Sequence, residues 1–128
     1  MNKVVLDASA LLALIKNELG ANVIEELLGN IIMSSINVAE VASILLDSDM
    51  SSEEAKEAIA PFIDSIISFD FEHSIACASL KKTTKHLGLS LGDRACIALG
   101  ISLNLPIYTA DKIWRELKLE NAEIRLIR

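Results

Sequence analysis

Short runs of β-branched and aliphatic residues alternate along this chain with stretches whose apolar residues recur every three or four positions. The runs predict strands at Lys3–Leu6, Ile31–Ser34, Ile66–Phe69, Ile107–Thr109 and Ile124–Leu126. The helical periods predict helices over Ala8–Lys16, Ala21–Leu28, Val38–Asp47, Glu72–Leu87, Ser90–Leu103 and Asp111–Leu117. Between Ser51 and Glu54 the chain has the spacing of a capping box, and Ala55, Ala58, Ile59, Phe62 and Ile63 follow on one helical stripe. Pro61 should kink or end that helix, and Gly88 should stop the next one. Strands that alternate with helices in this way predict a three-layer α/β/α sandwich around a central, mainly parallel sheet.

The length of 128 residues suits a single domain spanning 1–128. Hydrophobic residues make up 52% of the chain, enough for an extensive core or for an apolar surface that a partner covers. No apolar run approaches the roughly 18 residues of a membrane span. The start, MNKVVLDASALLALI, is interrupted by Asp7 and reads as a buried strand and helix rather than a secretory signal, so a cytoplasmic protein is expected. Cys77 and Cys96 lie in helical apolar contexts and read as free core thiols. The formal charge of −6 argues against a general positive field for nucleic acid, although metal ions could make a local site attractive to phosphate.

Four acids stand where a hydrophobic element meets a new helix: Asp7 in VVLDASALLALI, Glu40 in SINVAEVAS, Asp93 in SLGDRACIALG and Asp111 in IYTADKIW. Each alone suits a helix cap, and Asn37–Glu40 and Ser90–Asp93 have capping-box spacing. In a parallel sheet, helices that follow strands begin at the carboxyl edge, where ligands bind. All four acids would then share one crevice, and capping alone gives no reason for an acid at every one of the four places. Clustered carboxylates repel, and a hard divalent cation, Mg²⁺ or Mn²⁺, removes the repulsion. Such a metal needs no separate general base, which suits a chain whose histidines, His73 and His86, lie far in sequence from the acid motifs.

In this order and spacing the four motifs resemble the PIN-domain ribonucleases, and among them the VapC-like toxins of prokaryotic toxin–antitoxin pairs. The likeness runs from the first strand to the last. It implies an α/β/α fold and metal-dependent endonucleolytic cleavage of RNA, with Asp7, Glu40, Asp93 and Asp111 as the catalytic and metal-holding acids. It further implies that Thr109 and Ser9 support the site through hydroxyl contacts, that the chain forms homodimers, and that an antitoxin blocks the site. Arg94 and Lys112, each directly following an acid, either hold the RNA backbone or pair with surface acids. Lys81, Lys82 and Lys85 read as a solvated face at a helix end, or as a phosphate-contacting patch. The segment Asp70–Leu89 matches no pattern of the family.

Two rival readings remain at this point. An inactive PIN-like domain could keep the fold only to bind a protein partner. A phosphoacceptor receiver-like domain shares the alternating pattern and would use Asp70, after the third strand, as its phosphorylated aspartate.

Overall fold

The computed structural model describes residues 2–128. Five parallel strands, β1 (Val4–Leu6), β2 (Ile31–Ser34), β3 (Ser65–Ile67), β4 (Ile107–Thr109) and β5 (Ile124–Leu126), form one sheet in the order β3-β2-β1-β4-β5. Val5 lies opposite Ile32 on one side and Ile107 on the other, so β1 is the central strand and is hydrogen-bonded on both edges. The strand order reverses at β1: the chain runs outward to β2 and β3, then crosses back to β4. Such a reversal opens a crevice at the carboxyl ends of the two strands that flank it, here β1 and β4.

Alternation along the strands divides the core into two layers. Val4, Leu6, Ile31 and Met33 face α1 (Ala8–Ile15), α2 (Ala21–Glu25), α3 (Ser35–Asp47) and α4 (Ser52–Ile59). Val5, Ile32 and Ile107 face α7 (Leu91–Leu103) and Trp114. Outside α7 lies α5 (Phe71–Ser79), which packs Cys77 against Ala95 and Ala98. The result is the expected α/β/α sandwich, and both cysteines are free and buried. Gly100 lets α7 approach β4 closely, because a Cβ there would overlap the Ile107 side chain.

Several element boundaries depart from the sequence reading; α2 ends at Glu25 rather than Leu28, and β3 runs Ser65–Ile67 rather than Ile66–Phe69. The helix expected to start at Val38 starts at Ser35, because the Ser34 hydroxyl at the end of β2 accepts from Ile36 N and caps it. Asn37 is therefore inside the helix and does not cap it. The helix expected over Glu72–Leu87 is three pieces: α5, a short α6 (Lys81–Thr84), and a 3-10 turn from Lys85 to Leu87. The hydroxyls of Thr83 and Thr84 both donate to the Leu80 carbonyl, the local back-bonding that competes with a continuous helix. Finally, Asp111 opens a 3-10 turn from Lys112 to Glu116.

Candidate functional site

Asp7 ends β1 and caps α1. Its Oδ1 accepts from Ala10 N at 2.9 Å and from Ser9 Oγ at 2.8 Å, and its Oδ2 accepts from Thr109 Oγ1 at 2.6 Å. The two hydroxyls are oriented from behind. Ala110 N donates to Ser9 Oγ and Asp111 N donates to Thr109 Oγ1, which leaves the hydroxyl protons directed at the carboxylate. The end of β4 thus grips the end of β1 through one aspartate. Asp7 is only 4% exposed, and its burial pushes its pKa up to about 6, against the opposing pull of the Thr109, Ala10 and Ser9 donors. The nearby charge of Asp93 pushes in the same direction.

Glu40 lies one turn into α3 and faces the first turn of α7. Its Oε1 accepts from Asn37 Nδ2 at 2.8 Å, and the same amide donates to Gly92 O at 3.0 Å. A Cβ on Gly92 would overlap the Glu40 carboxylate. Burial raises the Glu40 pKa; the Asn37 amide lowers it, and Asp93 raises it. Asp93 completes a capping box at the start of α7: Ser90 Oγ accepts from Asp93 N, and Asp93 Oδ2 accepts from Ser90 N. One turn further along α7, burial raises the Cys96 thiol well above its ordinary pKa, and Asp7, Asp93 and Glu40 add to that shift.

Asp7, Glu40 and Asp93 therefore act in one electrostatic field around the first turns of α7. Asp111 is tied to the same place through its backbone N–H, and its exposed carboxylate caps Ile113 N through Oδ1. Among the described residues, no three His, Cys, Asp or Glu side chains stand close enough to form a ready-made metal cage. The donor set is nonetheless that of a hard cation: all oxygen, mutually repelling, with Asp7 strained toward protonation. A cation of the Mg²⁺ type retains several waters and needs few carboxylates, so the residues fit one held partly through water.

The sequence profile of the PIN domain matches residues 4–119. The chain belongs to the PIN domain family. That family is generally one of nucleases. The PIN fold here is similar to a chain of the DNA-bound VapBC of Salmonella typhimurium, with a TM-score of 0.76 and 16% identity over 100% of both chains. It is similar to a chain of VapBC2 from Rickettsia felis bound to a promoter DNA fragment, with a TM-score of 0.71 and 20% identity over 96% of this chain and 97% of that one. VapBC-5 of Mycobacterium tuberculosis, a member of the VapBC family of toxin–antitoxin systems, gives a TM-score of 0.62 and 19% identity over 100% and 99%. No curated protein matches the chain at significance.

The PIN sheet order also removes the receiver-like reading. A receiver sheet places its third strand beside the first, whereas β2 here separates β3 from β1. Asp70 lies after the edge strand β3 and caps α5 by accepting from His73 N.

The cations are distributed unevenly. Lys112 is exposed at the rim. Arg94 is half-buried and donates from Nη1 to the Cys77 carbonyl in the last turn of α5, at 3.4 Å. Lys81, Lys82 and Lys85 are exposed on and after α6. Sequence reasoning missed the part played by Asn37 and Gly92. Asn37 has the spacing of a cap to Glu40, and nothing in the chain between residues 37 and 92 signals that Asn37 and Gly92 meet.

Proposed function

We propose that this protein is a Mg²⁺-dependent endoribonuclease, with Mn²⁺ able to replace Mg²⁺, and that it is the toxin of a toxin–antitoxin pair. The observation that supports it most strongly is the shared field of Asp7, Glu40 and Asp93 at the crevice where the strand order reverses. Asp7, Glu40, Asp93 and Asp111 are the proposed metal-holding and catalytic acids. The cation would polarise a phosphate oxygen and lower the pKa of a bound water.

The chain's own residues hold the carboxylates ready for it. Ser9 and Thr109 fix both oxygens of Asp7, so its orientation is set before any substrate arrives. The Ser90–Asp93 capping box fixes one oxygen of Asp93 and leaves the other free. Lys112 and Arg94 are proposed to hold the RNA backbone on either side of the acids. The proposed unit is a single nuclease domain over residues 1–128, working in the cytoplasm as a homodimer. Among the described residues, no helix is long and apolar enough to cross a membrane.

An antitoxin partner is supported by an apolar groove of about 380 Å³ between α3 and α4, lined by Val38, Ala42, Leu46, Ala55, Ile59 and Ile66. Leu46 and Ile66 are 42% and 53% exposed there, a surface that favours burial against another chain.

The test is cleavage of purified RNA with Mg²⁺ or Mn²⁺, with and without EDTA. Asp93→Asn should lose about 100-fold or more in rate, since metal-borne charge stabilisation is worth several kcal/mol. Undiminished cleavage by Asp93→Asn, or cleavage that persists in EDTA, would sink the reading.

A further inference from the structure

The geometry points to Asn37 as a positioning residue: its amide holds Glu40 against the backbone of α7 and so sets the separation of Glu40 from Asp93. This rests on the nuclease reading, in which both acids hold the metal.

Asn37 is 1% exposed and belongs to α3, whereas Gly92 belongs to α7. One amide nitrogen bridges the two helices, with 2.8 Å to Glu40 Oε1 and 3.0 Å to Gly92 O. Gly92 immediately precedes Asp93. The Glu40 carboxylate is thus clamped between the Asn37 amide on its own helix and a backbone position on the facing helix that has no room for a side chain. Oε1 is occupied by this clamp.

The other end of Asn37 shows that packing alone does not explain the residue. Its Oδ1 is buried without a hydrogen-bond partner. A buried orphan acceptor costs about 1–3 kcal/mol, and an apolar side chain of the same size would avoid that cost. Leucine has nearly the shape of asparagine; it relieves the orphan oxygen but leaves Glu40 Oε1 and Gly92 O without this donor, so a purely structural role predicts a change in stability alone, with Mn²⁺ affinity unmoved. A positioning role predicts that stability and metal binding separate, because residues that orient metal ligands commonly cost 10–100-fold in affinity when removed.

The experiment titrates Mn²⁺ into the RNA-free protein by calorimetry and compares wild type, Asn37→Leu and Gly92→Ala. Thermal melts in EDTA and the split of kcat from KM for RNA accompany it. Asn37→Leu should stay folded, with the melts in EDTA reading the net of the lost donor and the relieved orphan, yet bind Mn²⁺ roughly 10–100-fold more weakly. Its kcat should fall while KM for RNA changes by less than about twofold, because the uniform binding of RNA is untouched. Gly92→Ala reaches the same carboxylate from the opposite wall and should weaken Mn²⁺ binding with Asn37 intact. Asn37→Ala, which removes the amide without adding bulk, serves the same comparison if leucine is not accommodated. A folded Asn37 variant with wild-type Mn²⁺ affinity overturns the inference and leaves the nuclease reading standing. A wild-type protein that neither binds Mn²⁺ nor cleaves RNA overturns the nuclease reading and, with it, this one.

Discussion

Asp7 and Glu40 are both carboxylates drawn into the protein, and they are held by opposite strategies. Asp7 lies in a socket made by the ends of two hydrogen-bonded strands. Three donors reach it, two of them hydroxyls that backbone N–H groups hold in place. Glu40 lies in a seam between two helices, held by one amide whose own oxygen is left without a partner. The socket is built from the sheet, so its geometry follows from the β1–β4 register, in which Leu6 lies opposite Tyr108. The seam depends on how α3 happens to lean on α7. In the proposed metal site, one acid would be framed by the sheet and the other by the pairing of two helices, as a cation that demands near-octahedral geometry requires of its ligands.

The largest effect that separates the two should be on pH dependence. Asp7 carries a folded pKa of about 6 against 3.8 for the free group, so the fold favours its protonated form. That contribution is fully present below about pH 3.8 and is lost as pH rises through about 6. Above that pH the buried charge costs the metal-free protein about 3 kcal/mol, at 1.36 kcal/mol per pH unit of displacement. Asp7→Asn should therefore be the more stable protein at pH 7–8 in EDTA, and should lack the wild-type decline between pH 4 and 7. Urea denaturation across that range reads both. Parallel pH profiles for the two proteins would break the contrast between socket and seam. Glu40 shifts in the same direction but is partly open to solvent, which screens its share.

A smaller effect tests how the socket is held. Thr109→Val keeps the shape of the side chain, removes the 2.6 Å donor to Asp7 and strips Asp111 N of its acceptor. It should cost about 1–3 kcal/mol by denaturation, and it should move the pH-dependent decline upward, because Thr109 is the strongest of the donors that hold the Asp7 pKa down. The corresponding change in the seam, at Asn37, relieves an orphan acceptor as it removes a donor, so its net cost should be smaller than at Thr109. Equal losses at the two positions would erase the distinction.

The smallest effect is at Ser90, whose hydroxyl accepts from Asp93 N. Ser90→Ala should cost about 1 kcal/mol as the loss of an N-cap. Because the backbone bond from residue 90 to Asp93 Oδ2 survives the change, Mn²⁺ affinity should hold. A large drop in affinity would mean that the serine hydroxyl, and not the backbone, orients Asp93.

The capping readings of the acids divide in an instructive way. Asp7, Asp93 and Asp111 do bond to backbone N–H groups at helix or turn starts, so capping and the proposed metal role fall on the same side chains there. Glu40 is the exception. Its capping-box spacing with Asn37 is real, but Ser34 already caps that helix, and the pair is released for contact with α7. Spacing of three residues along a helix brings two side chains to one face whether or not a terminus is there, so the local pattern could not tell the two apart. The unbroken helix expected from Glu72 failed for a related reason. Its periodicity continues through Thr83 and Thr84, but their hydroxyls bond to Leu80 O and interrupt the helix.

By itself the sequence determined the alternation of strands and helices, the placing of Asp7, Asp93 and Asp111 at element starts, and the family to which the chain belongs. Those properties are written in hydrophobic period and short-range capping, which act over a few residues. The tertiary structure alone decided the strand order, the burial that pushes Asp7 toward protonation, and the meeting of Asn37 with Gly92 across 55 positions. Each of these depends on which elements become neighbours when the apolar faces are buried, and no residue carries that information in its immediate surroundings.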